Sequence, residues 1–302
     1  MTNASISKQP SSQKTAILAL MVLVVIWGYN WVVMKVAVRY SSSFDYAALR
    51  VLLGIISLLV VFIWLRKPFL PKEVFGTFLT GVLQTAGFYG FSTWALVRGG
   101  VGKTVVLNYA MPFWVLLFAW FALGERLRRA QWIGIAIALG GLLFILMPFS
   151  FTKGLFSEVL ALLSGFSWAA GIVVAKRLQR RTELDLLSFT TWQMLFGSIP
   201  LVLCAFLIPS PPIRWSAPFI ATLAYSGILG GAIAWLLWFY ALNRLPAGVA
   251  SLGTLASPVV GVSAAWIQFG ETPSFLEAVG MVLIIGALVL NSIQAIKPQR
   301  SP

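Results

Sequence analysis

The chain repeats itself, and that limits the possible folds more than any local pattern does. Ala95–Ile145 aligns without a gap on Ala241–Asn291. The shared positions include Arg98/Arg244, Gly102/Gly248, Pro112/Pro258, Trp120/Trp266, Gly124/Gly270, Glu125/Glu271 and Gly134/Gly280. Two unrelated apolar runs rarely match at Pro, Arg and a Gly-Glu dipeptide in one register. The same register pairs Thr80 with Ser226 and Gly81 with Gly227, so the duplication reaches upstream. The fold is therefore two copies of one unit.

Composition identifies the unit. The chain is 59% hydrophobic, 10% charged and has no His, whereas a soluble domain carries about 25% charged residues. The charges fall in short clusters between apolar runs of about 20 residues, long enough to cross a bilayer as helices. The expected fold is an all-α integral membrane protein of ten transmembrane helices, spans 1–10: 15–38, 45–65, 73–97, 103–122, 128–148, 155–178, 186–208, 217–242, 248–268 and 275–296. Residues 1–13 read as a flexible polar tail, 14–150 as the first five-helix repeat, 151–296 as the second and 297–302 as a C-terminal tail. The first span is too long for a signal-peptide core and lacks a small-residue cleavage site. Pro209–Pro212 forces an extended connection, and Thr182–Asp185 supplies helix caps.

With the N-terminus inside, fifteen of the 22 Lys and Arg fall on the cytoplasmic side, so both termini are expected in the cytoplasm of a multi-pass inner (plasma) membrane protein. Five helices per copy is an odd number, which inverts the second copy relative to the first. Inverted repeats can exchange inward-open and outward-open shapes around a midplane site.

Several chemistries fall away. The +14 net charge is not gathered into a basic, aromatic-interleaved domain, which argues against nucleic acid. The lone Cys204 lies in an apolar run and offers neither a disulfide nor a thiolate metal site. Arg98–Thr104 resembles a phosphate-binding loop, but such a loop needs a preceding strand, and here both flanks are membrane helices. No paired carboxylates, His cluster or Ser/Lys dyad lies within the spans, so no enzyme activity and no cofactor are expected.

Polar groups inside spans are costly and mark candidate sites. Asn30 lies one turn after Trp27 in span 1, and Gln84, Phe88 and Ser92 share a face of span 3. Asn108, Tyr109 and Met111 crowd the turn before Pro112, whose ring frees a carbonyl. Trp168 and Trp238 add aromatic surface in spans 6 and 8. These ten are the expected substrate contacts. Trp64, Trp132 and Trp215 lie near span ends and read as interfacial belt residues. Lys35 and Lys176, near the ends of spans 1 and 6, are expected to snorkel to the interface. Glu125 and Glu271 read as structural ties closing spans 4 and 9.

The paired Pro and Gly-Glu, the Trp27…Lys35 and Trp168…Lys176 pairs, and Arg50 and Gln193 near the starts of their spans resemble the drug/metabolite transporter superfamily. More narrowly they resemble its ten-helix EamA branch, over about residues 15–296. Leu107–Pro112 is similar to the matching helix of YddG-type aromatic amino-acid exporters. The resemblance implies export of amino acids or related metabolites through a central cavity lined by spans 1, 3, 4, 6, 8 and 9. Phe88, Ser92 and Met111 stand where the resemblance implies aromatic side chains in aromatic-exporting relatives, and the Ser and Met at two of these places point away from strict aromatic selectivity.

No Asp, Glu or His lies in the middle third of any span. A proton-driven antiporter needs such a relay in the membrane, so uncoupled transport or exchange is expected. An apolar cavity with aromatic walls and a few amides suits small neutral zwitterions, handled by a single chain in the bilayer acting as a monomer. The alternatives are a drug or sugar-phosphate substrate, and proton coupling.

Overall fold

The computed structural model describes residues 10–66, 70–98, 107–108, 111–124, 129–146, 155–270 and 275–296, and these contain helices and connections but no strand. In the first half, α1 (Pro10–Ala37) and α2 (Ser43–Trp64) precede α3 (Val74–Thr80), which runs through a π-helical segment, Gly81–Gly87, into α4 (Phe88–Arg98). There follow α5 (Met111–Leu123) and α6 (Arg129–Leu146). The second half repeats this order. It comprises α7 (Leu155–Arg181), α8 (Leu186–Leu207), and α9 (Ala217–Ala224) running through a π-helical Tyr225–Ile233 into α10 (Ala234–Arg244). Then come α11 (Ala247–Gly253), a 3-10 turn Thr254–Ala256, α12 (Ser257–Phe269) and α13 (Phe275–Ile296).

Among the described residues, six helical runs are long and apolar enough to cross a membrane: Gln13–Met34, Ser43–Trp64, Val159–Arg181, Leu186–Leu207, Ala217–Arg244 and Ala247–Gln268. Leu18, Ile56, Val60, Phe121, Leu203 and Ile267 stand exposed on the exterior, a surface suited to lipid and not to water. The chain is a multi-pass membrane protein. Trp64, Trp132 and Trp215 are exposed, as belt residues are.

Local chemistry sets the helix ends. The Ser42 hydroxyl accepts from the Asp45 amide at 3.1 Å to start α2, and the Asp185 carboxylate accepts from the Ser188 amide at 3.0 Å to start α8. Each satisfies one of the orphan donors of a first turn. The repeated Gly124 and Gly270 adopt left-handed φ of 64° and 70°, stopping α5 and α12 where a side chain would be strained. Pro258 has no N–H for the carbonyl of Thr254, and the helix there tightens into the 3-10 turn.

The halves pack in a pattern that survives their exchange. The first-half α2 packs on α8, and α6 on α13. The contacts of α1 with α10 and α12 are mirrored by those of α7 with α4 and α5. The π-helical segments do the same, Gly81–Gly87 against α8 and Tyr225–Ile233 against α2. Glycines make both of these crossings. A Cβ at Gly81 would overlap the Gln193 carbonyl, and one at Gly197 would overlap the Gly81 carbonyl. At the mirrored crossing, a Cβ at Gly54 would lie 3.0 Å from the Gly227 carbonyl oxygen. Small residues let membrane helices approach backbone to backbone. The wide π turns expose carbonyls to the other half: Ser167 donates to Leu83 O at 2.8 Å and Trp27 Nε1 to Gly230 O at 3.1 Å. The sequence reading placed uninterrupted helices over both π-helical segments.

Gly81→Leu is expected to cost at least the ~1–3 kcal/mol of an overpacked core, since the obstacle is backbone. Gly140, whose Cβ would meet nothing within 4 Å, should accept Leu within about 0.5 kcal/mol. Thermal unfolding of the two detergent-solubilised variants measures the difference. Equal midpoints would remove the crossing from its central role.

Candidate functional site

A cavity of about 110 Å³, counted as room for the centres of water-sized spheres, lies between the halves. Helix α1 contributes Trp27, Asn30, Trp31, Met34 and Val38. Helix α2 contributes Ser43, Tyr46, Ala47 and Arg50, which recur at helical spacing and so form one face. Phe88, Tyr89 and Ser92 come from α4, Asn108 and Met111 from around the start of α5, and Trp168 from α7. The broken helix adds Thr254 and Ser257.

Two hydrogen-bonded sets fix this wall. Asn108 Nδ2 donates to Ser92 Oγ at 3.1 Å, Ser92 Oγ donates to Ser164 Oγ at 2.9 Å, and Ser164 Oγ donates back to Asn108 Oδ1. This closed circuit ties α4 and α7 to the turn before Pro112. In the second set, Ser226 Oγ donates to Asn30 Oδ1 at 2.7 Å, so it accepts from the Tyr46 hydroxyl at 2.5 Å. That chain ties α2, the second π-helical segment and α1. Buried polar groups in a membrane need such mutual satisfaction.

Tryptophans close one end. Trp27 lies 5.6 Å from Trp168, 6.3 Å from Trp235 and 6.0 Å from Trp238 between ring centroids. Trp168 lies 5.3 Å from Trp235, 5.8 Å from Trp238 and 4.8 Å from Phe88. Edge and tilted pairs of this kind contribute about 0.5–1.5 kcal/mol each beyond area burial. Trp235 and Trp238 are wholly buried. Behind them Lys176 Nζ donates to Leu245 O at 2.6 Å and to Leu242 O. Lys176 is thus buried, contrary to the expected snorkelling, because the last carbonyls of α10 need donors and a lysine can cap them. At the other end the cavity reaches the α1–α2 turn through Val38 and Ser43, which are not buried.

The structure brings Trp27, Asn30, Phe88, Ser92, Asn108, Met111 and Trp168 together on the cavity wall. Gln84 sits outside the wall, wholly buried against Gly171, and neither of its amide atoms has a partner among the described residues. Trp238 packs behind Trp27 and Trp168. Tyr109, the 99–106 turn, Glu125 and Glu271 lie outside the described residues. The sequence reading did not place Arg50, Tyr46, Tyr89, Thr254 and Ser257 on the wall. For two of them the repeat held the signal, since its register pairs Asn108 with Thr254 and Met111 with Ser257. Among the described lining residues Arg50 is the one cation, and none is acidic.

The sequence matches the EamA-like transporter family over residues 14–147 and 155–293. It is 28% identical over 281 residues to the uncharacterized transporter YoaV of Bacillus subtilis, covering 91% of this chain and 96% of that one. It is also 28% identical over 293 residues to a probable amino-acid metabolite efflux pump of Salmonella typhimurium, covering 93% and 95%. A solved crystal structure with 19% identity superposes with a TM-score of 0.81, over 93% of this chain and 98% of that one, and shares the fold.

The two repeated tryptophans differ in one respect. Trp27 has a hydrogen-bond acceptor, Gly230 O, while the indole N–H of Trp168 has no partner among the described residues. Trp27→Phe should therefore cost about 0.5–1.5 kcal/mol more stability than Trp168→Phe. Equilibrium unfolding of the two variants reads this out, and a larger loss for Trp168→Phe would contradict the assignment.

Proposed function

The chain belongs to the EamA-like transporter family, and we propose that it exports amino acids, aromatic and other neutral ones, or related small metabolites by alternating access. The observation that carries this reading is the cavity itself. It lies between two halves whose contacts survive exchange, and it combines aromatic faces with amide and hydroxyl groups. Such walls suit a small zwitterion: amides and hydroxyls meet its polar ends while rings cover its body and can hold an ammonium group. The Salmonella relative's name, a probable amino-acid metabolite efflux pump, points the same way.

In this reading ten helices cross the inner membrane as two inverted five-helix repeats, with both termini cytoplasmic, and one chain suffices. The cavity is then open toward the outside, and the tryptophan plug with Lys176 closes the cytoplasmic end. The indole N–H groups of Trp168, Trp235 and Trp238 have no partners among the described residues in the closed plug. Each such buried donor costs about 1–3 kcal/mol, which a permanent core has no reason to carry and a gate recovers on opening. Transport is uncoupled or by exchange, since no lining residue among those described is acidic and the chain has no His to relay a proton.

Counterflow of radiolabelled phenylalanine and threonine into liposomes holding the purified protein tests this. Both should accumulate at rates unchanged by an imposed pH gradient. Strong dependence on the gradient would overturn the uncoupled mechanism. If neither moved while the protein remained folded, the amino-acid reading would fail and phosphate esters would be assayed next.

A further inference from the structure

We propose that Arg50 is the anchor for a carboxylate on the transported molecule, so that the site selects carboxylate-bearing substrates over the corresponding amines. The inference rests on reading the cavity as the substrate site and adds to it the group that the site recognises.

Arg50 lies on the cavity wall and is only 6% exposed. Its one polar contact among the described residues is a 3.3 Å hydrogen bond from Nη2 to the Tyr89 hydroxyl. Its guanidinium carbon sits 4.8 Å from the Tyr89 ring centroid and 5.9 Å from that of Tyr46. The rings shelter the charge without neutralising it. A buried cation ordinarily has an anionic partner, because desolvation without one is costly. None is supplied among the described residues. The acidic residue nearest in sequence, Asp45, is engaged by the hydroxyls of Ser42 and Ser210, both at 2.7 Å. The guanidinium presents five N–H donors in a planar fork matched to a carboxylate, and most of them are unassigned.

The same wall holds further donors without acceptors. Asn30 spends its carbonyl on Ser226, which leaves its NH2 group with no partner among the described residues. The Ser257 hydroxyl is likewise unpartnered among the described residues. One cation beside neutral donors fits a monoanion. A phosphate monoester dianion would call for more than one cation at the site.

The second half supplies an internal contrast. Ser42 caps α2 and Asp185 caps α8, and at the same distance from each cap stand Arg50 and Gln193. Gln193 is wholly buried and accepts from Thr85 Oγ1 at 3.1 Å. The position thus tolerates a neutral amide where it does not line the cavity and carries the charge where it does. Arg50→Gln places at the cavity the residue that the other half already uses.

Isothermal titration of the full chain in nanodiscs with L-phenylalanine, 3-phenylpropionate and 2-phenylethylamine tests the anchor. In the wild type the two carboxylates should bind at least tenfold more tightly than the amine. Arg50→Gln should bring both carboxylates down to the amine's level and leave the amine unchanged, with Arg50→Lys between. The wild-type ranking needs no variant, so it stands even if Arg50→Gln does not fold. Arg50-dependent binding of phenylpropionate without binding of phenylalanine would keep the anchor and overturn the amino-acid reading. Binding of the amine as tight as that of phenylalanine, or an equal loss of all three in Arg50→Gln, would overturn the anchor and leave the transporter reading. Absence of binding by all three to folded wild type would overturn the site.

Discussion

Two places where backbones touch, Gly81 on α8 and Gly227 on α2, govern how the halves meet. In lipid there is no hydrophobic drive to press helices together, so close packing and satisfied polar groups must do it. Glycine removes the side chains that would hold the helices apart, and the adjoining π-helical turns offer carbonyls to donors from the opposite half. Because the crossing occurs twice, in mirrored form, neither half is a scaffold for the other. Each holds its partner by the same device.

What the crossings leave between the halves is unequal. On one side aromatic rings and a buried lysine fill the space, and on the other a cavity reaches the α1–α2 turn. Two copies of one unit thus sit in two different environments within one molecule. Trp27 and Trp168 occupy matching places, yet among the described residues Trp27 has an acceptor for its indole N–H and Trp168 has none. A duplicated unit held in two conformations at once is the physical requirement for exchanging them.

Polar accounting at the cavity follows the same logic. Asn108, Ser92 and Ser164 satisfy one another and stiffen the wall. Arg50, Asn30 and Ser257 retain unmatched donors where the wall meets the cavity. Groups of the first kind specify shape, and groups of the second kind are available for recognition. The sequence contained both kinds, but it could not sort them. That depends on which side chains face one another across helices far apart in the chain.

By itself the sequence determined the helical class, the membrane setting, the duplication and the helix cap at Asp185. These follow from hydropathy, period and backbone chemistry, which act between near neighbours in the chain. It also selected part of the wall, since Asn30, Ser92, Asn108 and Trp168 are polar or aromatic groups within apolar runs. The repeat register held Thr254 and Ser257 in reserve. The tertiary structure alone decided the rest: the π-helical turns, the burial of Lys176 on the carbonyls of α10, the retreat of Gln84 and Trp238 behind the wall, and the exposure of Arg50's charge to the cavity. Each of these depends on a partner more than 30 residues away, brought close only when two helix backbones pack at a glycine.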